Sequence, residues 1–375
     1  MYRGKNPAYT MPKLREQKSL EDLDASIESR GDNSTNFSSH SEVFCPAAFY
    51  PLSPQPLTTY QFEDTIDSFA PEYIPQMACT KLGSKKLQQI IAMARPEAIE
   101  KIIDAVSLSI GELMIDLYGN YMCQTLLQSC SAPQRLVLLR SMQSSLIRIS
   151  CNPRGTHALQ NLIALSSSQE EENVYQQVFK GSILKLSKDP NSSHVIQRML
   201  TTLKNKHFIV KEILTHVAEL SMDRLGLCMI KKCIKDPQVF TEIIEHSLML
   251  MQDPYGNYAV QIALDLWKEE CTFEFISGIQ GKTAQLCIQK YASNVMEKGM
   301  KIEPIRLAIL KEIINEDKLD VLLGSPYGCY VLRTAAQESD RKGKEELNEA
   351  MTKSTLKLHN ARLKVHWDEI ILNLR

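Results

Sequence analysis

Asn120, Tyr121 and Gln124 form a set that returns as Asn257, Tyr258 and Gln261: two amides one helical turn apart with a ring beside them. An amide offers a donor and an acceptor to the edge of a planar partner, and a flat ring offers a face for stacking. The same three slots recur as Ser84/Lys85/Gln88, Thr156/His157/Gln160, Ser193/His194/Gln197, Leu227/Cys228/Lys231, Ser293/Asn294/Glu297 and Cys329/Tyr330/Arg333. Tyr or His fills the middle slot in five of the eight sets, and the outer slots are mostly short or amide side chains. A merely solvated face would drift among Lys, Glu and Ser. Eight phased sets imply a repetitive ligand along one surface.

The elements that position these residues are themselves repeats. First-slot residues follow one another at steps of 36, 36, 37, 34, 30, 36 and 36 residues, and DLYGNYMCQ (116–124), DPYGNYAVQ (253–261), QKYASNVME (289–297) and GSPYGCYVLR (324–333) are variants of one helical segment. A period in the mid-thirties indicates stacked supersecondary units, each contacting its neighbours, so that a long array behaves as one elongated domain. After each middle slot come two residues that are mostly apolar, such as Met122-Cys123, Ala158-Leu159 and Val195-Ile196, which turns the trio toward the opposite, outward face. Ahead of it the pattern predicts a helix of about fifteen residues, as in Ile99, Ile102, Ile103 and Val106 or Ile305, Ile309, Ile313 and Ile314. Pro marks the expected helix starts at Arg95-Pro96, Asn152-Pro153, Asp189-Pro190, Asp253-Pro254 and Ser325-Pro326. Ser192 stands where the other units mostly have Gly, and the step of 30 shortens the connection KKCIKDPQVFTEIIEH. Strand alternation is almost absent, so the fold class is all-α.

Composition excludes more than it selects. Forty-three Lys and Arg against 44 Asp and Glu give a formal net charge of −1, no signature of a nucleic-acid or membrane partner, although a basic inner face fits within that balance. The ten cysteines form no CxxC pair, and Cys123, Cys228, Cys287 and Cys329 lie in helical patterns, which reads as buried, reduced thiols rather than a metal site. No apolar run reaches membrane-spanning length and the N-terminus has no apolar signal core, so a soluble, cytoplasmic protein is expected. Residues 1–58, polar and broken by Ser, Asn and Pro, read as a disordered tail ahead of a domain over 59–375.

From about residue 60 to the C-terminus the chain resembles the Pumilio (PUF) family of RNA-binding domains, most specifically in YASNVMEK (291–298) and in DPYGNYAVQ before it. The resemblance implies a right-handed α-solenoid crescent of eight three-helix PUF repeats, with single-stranded RNA antiparallel on the concave side and one base read per repeat. It implies base-edge roles for Ser84, Gln88, Asn120, Gln124, Thr156, Gln160, Ser193, Gln197, Asn257, Gln261, Ser293, Glu297, Cys329 and Arg333. Stacking roles fall to Lys85, Tyr121, His157, His194, Cys228, Tyr258, Asn294 and Tyr330. Carried over pair by pair, Asn with Gln resembles a uracil reader, Ser with Glu a guanine reader, and a small residue with Gln an adenine reader. The implied core is N-G-U-N-A-A-U-A, 5′ to 3′. Leu227 and Lys231 depart from the pattern and leave the fourth base open, while Cys329 with Arg333 favours C at the first, with U open. Messenger 3′ untranslated regions are the implied partners, with translational repression or mRNA decay through a deadenylase or other repressor on the convex face, where the connection Met300 to Pro304 is a candidate contact.

Other motifs carry less. Gly278-Ile-Gln-Gly281 matches the GXXG loop of KH domains but sits in a helical array, and neither HExxH, a Walker A loop nor GxSxG occurs. No catalytic residue, metal, cofactor or small-molecule substrate is expected. The closing segment from Lys342, charged and helical, resembles the family's C-terminal cap. Two alternatives to a sequence-specific RNA binder are a helical-repeat scaffold for proteins and a ribosome-assembly type that grips nucleic acid with little sequence preference.

Overall fold

The computed structural model of the chain describes residues 69–267, 270, 272–314, 316–353 and 370–372. The chain divides into two units, Met1–Gln61 and Phe62–Arg375, and every described residue belongs to the second. The tail expected over 1–58 lies outside the described residues, as do 354–369 and 373–375 of the expected C-terminal cap.

Every regular element among the described residues is helical. The trios ride on eight helices: Lys81–Met93, Gly119–Ser129, Gly155–Leu165, Ser192–Thr202, Gly226–Cys233, Gly256–Leu266, Ala292–Gly299 and Pro326–Glu338. Each of these motif helices packs against the next in order, from the first to the eighth, which makes the array a solenoid. The apolar pairs behind the trios supply the core. Met122, Cys123, Ala158, Leu159, Val195, Ile196, Met229, Ile230, Ala259, Val260, Val295, Met296, Val331 and Leu332 are all fully buried. A second row of helices runs behind, where Ile99, Ile102, Ile103 and Val106 of Pro96–Val106 are buried as their spacing requires.

The single helix of about fifteen residues expected before each motif helix is instead two helices. Pro96–Val106 is followed by Ile110–Leu113, Gln169–Phe179 by Ile183–Ser187, Pro237–Glu245 by Ser247–Leu250, and Thr272–Ile279 by Thr283–Cys287. The apolar period runs through the break, which is why the sequence pattern reads as continuous. Two of the breaks turn on left-handed glycines, Gly181 (φ 83°) and Gly281 (φ 76°), a conformation that costs glycine little. A three-helix unit results.

Proline opens the helix only at Pro96 and Pro326 among the five expected starts. At Asn152, Asp189 and Asp253 the helix begins three residues later, because the polar side chain closes a turn first. The Asp253 carboxylate accepts from the N–H of Tyr255 and Gly256, both at 2.8 Å, and Asp116, Asn152, Asp189 and Asp223 do the same. These carboxylates and the one amide satisfy N–H groups that no helical turn can reach. The short step into repeat six is taken up at the end of its neighbour. Gly226–Cys233 has eight residues, Pro237 opens the next helix almost at once, and Trp267 seals the gap, stacked on Phe240 at 4.8 Å with its indole N–H donating to the Ile234 carbonyl.

Candidate functional site

The three slots of each trio lie at three depths. First-slot residues are buried in all eight repeats: Ser84, Asn120, Thr156, Ser193, Leu227, Asn257, Ser293 and Cys329 are each at most 4% exposed. The expectation of an outward-facing first slot is corrected here. The residue sits in the first turn of its helix, and its side chain points back over the capped turn rather than away from the array. In the middle slot, Lys85, Tyr121, His157, His194, Asn294 and Tyr330 are exposed, while Cys228 and Tyr258 are half-buried. Third-slot residues are half-buried, apart from the buried Gln160. Rings and exposed polar groups thus form one rank, with the third-slot side chains behind them over a polar floor.

That floor orients the third slot. The Asn120 amide donates both its N–H groups to the carbonyls of Asp116 and Leu117 (2.8 and 3.2 Å), and Asn257 likewise to Asp253 and Pro254 (2.9 and 3.0 Å). Each then presents only Oδ1, which accepts from the Nε2 of Gln124 (3.2 Å) and Gln261 (2.9 Å). In the hydroxyl repeats, Ser84 donates to the Tyr118 carbonyl (2.8 Å) and Thr156 to the Asn191 carbonyl (3.0 Å), each in the next repeat. Their oxygens accept from Gln88 and Gln160, both at 3.2 Å. Four glutamines are therefore held at their amide nitrogen: Gln124, Gln160 and Gln261 keep one N–H for other partners, Gln88 donates also to the Ser84 carbonyl at 3.3 Å, and in all but repeat two the glutamine carbonyl oxygen is left for other partners.

Backbone approach explains the glycine that precedes the first slot in six repeats, while repeat seven accommodates Ala292 there. A Cβ on Gly256 would lie 2.7 Å from the Leu250 carbonyl oxygen, and on Gly328 2.3 Å from that of Leu322. In repeat four Ser192 fills this position, and its hydroxyl donates to the matching carbonyl, Leu186, at 2.9 Å.

Repeats four, five, seven and eight depart from the polar floor. The Ser193 hydroxyl is fully buried without a hydrogen-bond partner. Leu227 brings no polar group, and Lys231 is half-buried beside Cys228. Ser293 donates to the Lys290 carbonyl at 3.3 Å. At repeat eight the Cys329 thiol, pushed up to about 11 by burial, contacts the Leu323 carbonyl at 3.5 Å, while the Arg333 guanidinium lies 5.1 Å from the Tyr330 ring centroid. The expectation of buried thiols fits Cys123, Cys287 and Cys329, whose pKa values burial raises, but not Cys228, which is half-buried like Cys151, and Cys79 is exposed. His194, beside His157, is held below the ordinary imidazole value by partial desolvation and by that neighbour. Among the described residues no group of three His, Cys, Asp or Glu is placed to hold a metal ion, and no helix is long and apolar enough to cross a membrane.

One residue escaped the sequence reading. Asn161, on the third motif helix, donates from Nδ2 to Gln124 Oε1 of the second at 2.7 Å. It directly follows the third slot of its own repeat, the place that faces the preceding trio, and that position was the available signal.

Fold and site together define a helical-repeat protein that presents one three-slot set per repeat, with a ring in the middle slot of five of the eight. Residues 109–141, 182–214, 216–244, 246–277 and 282–314 match the PUF model, the Pumilio-family RNA binding repeat. The chain is 34% identical over 270 residues to Pumilio homolog 12 of Arabidopsis thaliana, covering 68% of this chain and 45% of that protein. To a Pumilio domain-containing protein of Schizosaccharomyces pombe it is 31% identical over 277 residues, 71% of this chain and 41% of the relative. The match thus spans less than half of either relative. Among solved structures, the Puf4 RNA binding domain bound to the HO endonuclease RNA 3′ UTR recognition sequence superposes with a TM-score of 0.69 at 29% identity, covering 80% of this chain and 97% of that one. The yeast Puf5p RNA-binding domain shares the fold, with a TM-score of 0.72 at 21% identity. This chain belongs to the Pumilio (PUF) family. Repeats one, three and eight fall outside the matched segments, yet each carries the same motif helix packed on its neighbours.

Proposed function

We propose that this chain binds single-stranded RNA sequence-specifically, one base per repeat, with the core N-G-U-N-A-A-U-A. The observation that carries the reading is the shared layout of the trios: a ring or polar group in front and an edge-bonding side chain behind it, anchored in four repeats by the first slot. An asparagine reduced to an acceptor, beside a glutamine N–H, complements uracil's N3–H and carbonyl. In repeat three, a glutamine with one N–H and its carbonyl available complements adenine's N1 and amino group, and in repeat one the Gln88 carbonyl is available to adenine's amino group. The Glu297 carboxylate suits the two N–H donors of guanine, and the donor-only Arg333 suits cytosine's O2 and N3. Stacking on each ring contributes roughly 1–3 kcal/mol. The Puf4 complex, solved on a 3′ UTR sequence, supports placing the target in messenger 3′ untranslated regions. Cytoplasmic repression or mRNA decay, with a deadenylase or other repressor on the opposite surface, completes the proposal.

Selection from a randomised RNA pool tests it. Enrichment of GU followed two bases later by AUA supports the reading. Binding without enrichment points to the non-specific class, and absence of binding to a protein scaffold. Replacing Asn257→Ser with Gln261→Glu should move the third base from U to G; an unchanged third base would defeat reading by separate repeats.

A further inference from the structure

Repeats two and six carry the same trio, Asn/Tyr/Gln, but their glutamines are held differently. In both, Nε2 donates to the asparagine Oδ1. In repeat two the other end is also closed, because Asn161 Nδ2 donates to Gln124 Oε1 at 2.7 Å. The residue at Asn161's position beside repeat six is Lys298, whose ammonium pairs instead with Asp265 at 2.7 Å. Gln261 Oε1 receives no hydrogen bond from any described residue.

We infer that Asn161 is a positioning residue that fixes the Gln124 amide with Nε2 available to the seventh base, and so sharpens the choice of uracil there. The inference rests on the RNA reading above and adds a residue outside the trios to it. Asn120 has both N–H groups on its own turn and offers only an acceptor, so Gln124 must supply the donor that meets a uracil carbonyl. If the Gln124 amide turned over, it would present Oε1 instead, the partner for cytosine's amino group. Two hydrogen bonds oppose that turn in repeat two, against one in repeat six. One net hydrogen bond corresponds to about a fivefold difference in an equilibrium.

The wild-type chain, Asn161→Ala and Asn161→Asp would be titrated with the eight-base RNA carrying U or C at the seventh or at the third base. The wild type should prefer U over C more strongly at the seventh base. Asn161→Ala should lower the seventh-base ratio by about fivefold and leave the third-base ratio unchanged. Asn161→Asp, which can only accept, should draw Nε2 away from the base and lower the ratio further. Equal seventh-base ratios in all three proteins would overturn the inference, as would a parallel fall at both positions, which marks general damage to the array. Absence of uracil preference at both positions in the wild type would sink the RNA reading, and this inference with it.

Discussion

A first-slot hydroxyl can clasp the next repeat or lie buried without a partner, and Ser84 and Ser193 separate the two cases. Ser84 donates to the Tyr118 carbonyl and accepts from Gln88, whereas Ser193 is as deeply buried with no partner. Ser84→Ala should therefore destabilise by about 1–2 kcal/mol, and Ser193→Ala should be neutral or slightly stabilising, since an unpaired buried hydroxyl is itself a cost. Thermal midpoints of the two variants would check this; equal losses would show that slot burial, not the clasp, sets the effect. The column of first slots was legible in the sequence because its residue types recur in phase. Its depth was not: a polar residue in the first helical turn reads as solvent-facing, and only the packed neighbour shows that its partners are backbone carbonyls.

Between elements, two carboxylates act as clips. Glu212 accepts from the N–H of Gly181 (2.8 Å) and Leu184 (3.2 Å), and Glu312, one hundred residues on, from Gly281 (3.1 Å) and Thr283 (3.3 Å), with the Thr283 hydroxyl at 2.7 Å. Each clip joins the long helix of one repeat to the start of the short helix before it, where helical N–H groups lack partners. Burial opposes the charge on Glu312, but the bonds from Thr283 and Gly281 and the nearby Lys318 outweigh it and hold the carboxyl below its ordinary value. A carboxylate lowered in the folded state stabilises fully above the unfolded value of 4.5, and that contribution disappears as pH falls through the folded value. Glu312→Gln should thus lower the thermal midpoint at pH 7 and flatten its fall below about pH 4.5; an identical acid slope would remove the clip from the account. The same glycine turn produced the GXXG match, since Gly278 lies in the last turn of Thr272–Ile279 and Gly281 makes the break. The other breaks were illegible for a plain reason: one passes through His246 alone, with no Gly or Pro to announce it.

Across the whole molecule, affinity and charge must be reconciled. The order of the eight repeats was readable from column spacing, but the sharing of side chains between neighbours was not, because a period says that units stack and not which atoms meet. A net charge of −1 leaves the sign of any one face open, and within the trios themselves the cations are Lys85, Lys231 and Arg333. Each phosphate neutralised on a single strand contributes about −0.7 to the slope of log K against log salt. Even with all three on phosphates the trios would contribute a slope of roughly −2 for the eight-base RNA, and less with Arg333 on a base edge and Lys85 stacked, so most of the affinity is expected in stacking and base edges. Fluorescence anisotropy over a salt series would measure it. Lys231→Ala should reduce the slope by about 0.7 and weaken binding equally for every base at the fourth position, because Leu227 gives that repeat no edge-bonding partner. A wild-type slope of about −5 or steeper would mean that phosphates dominate. The trios would then be secondary to a backbone grip, and discrimination at the seventh and third bases would collapse as salt is lowered, which is the opposite of what an edge-reading array does.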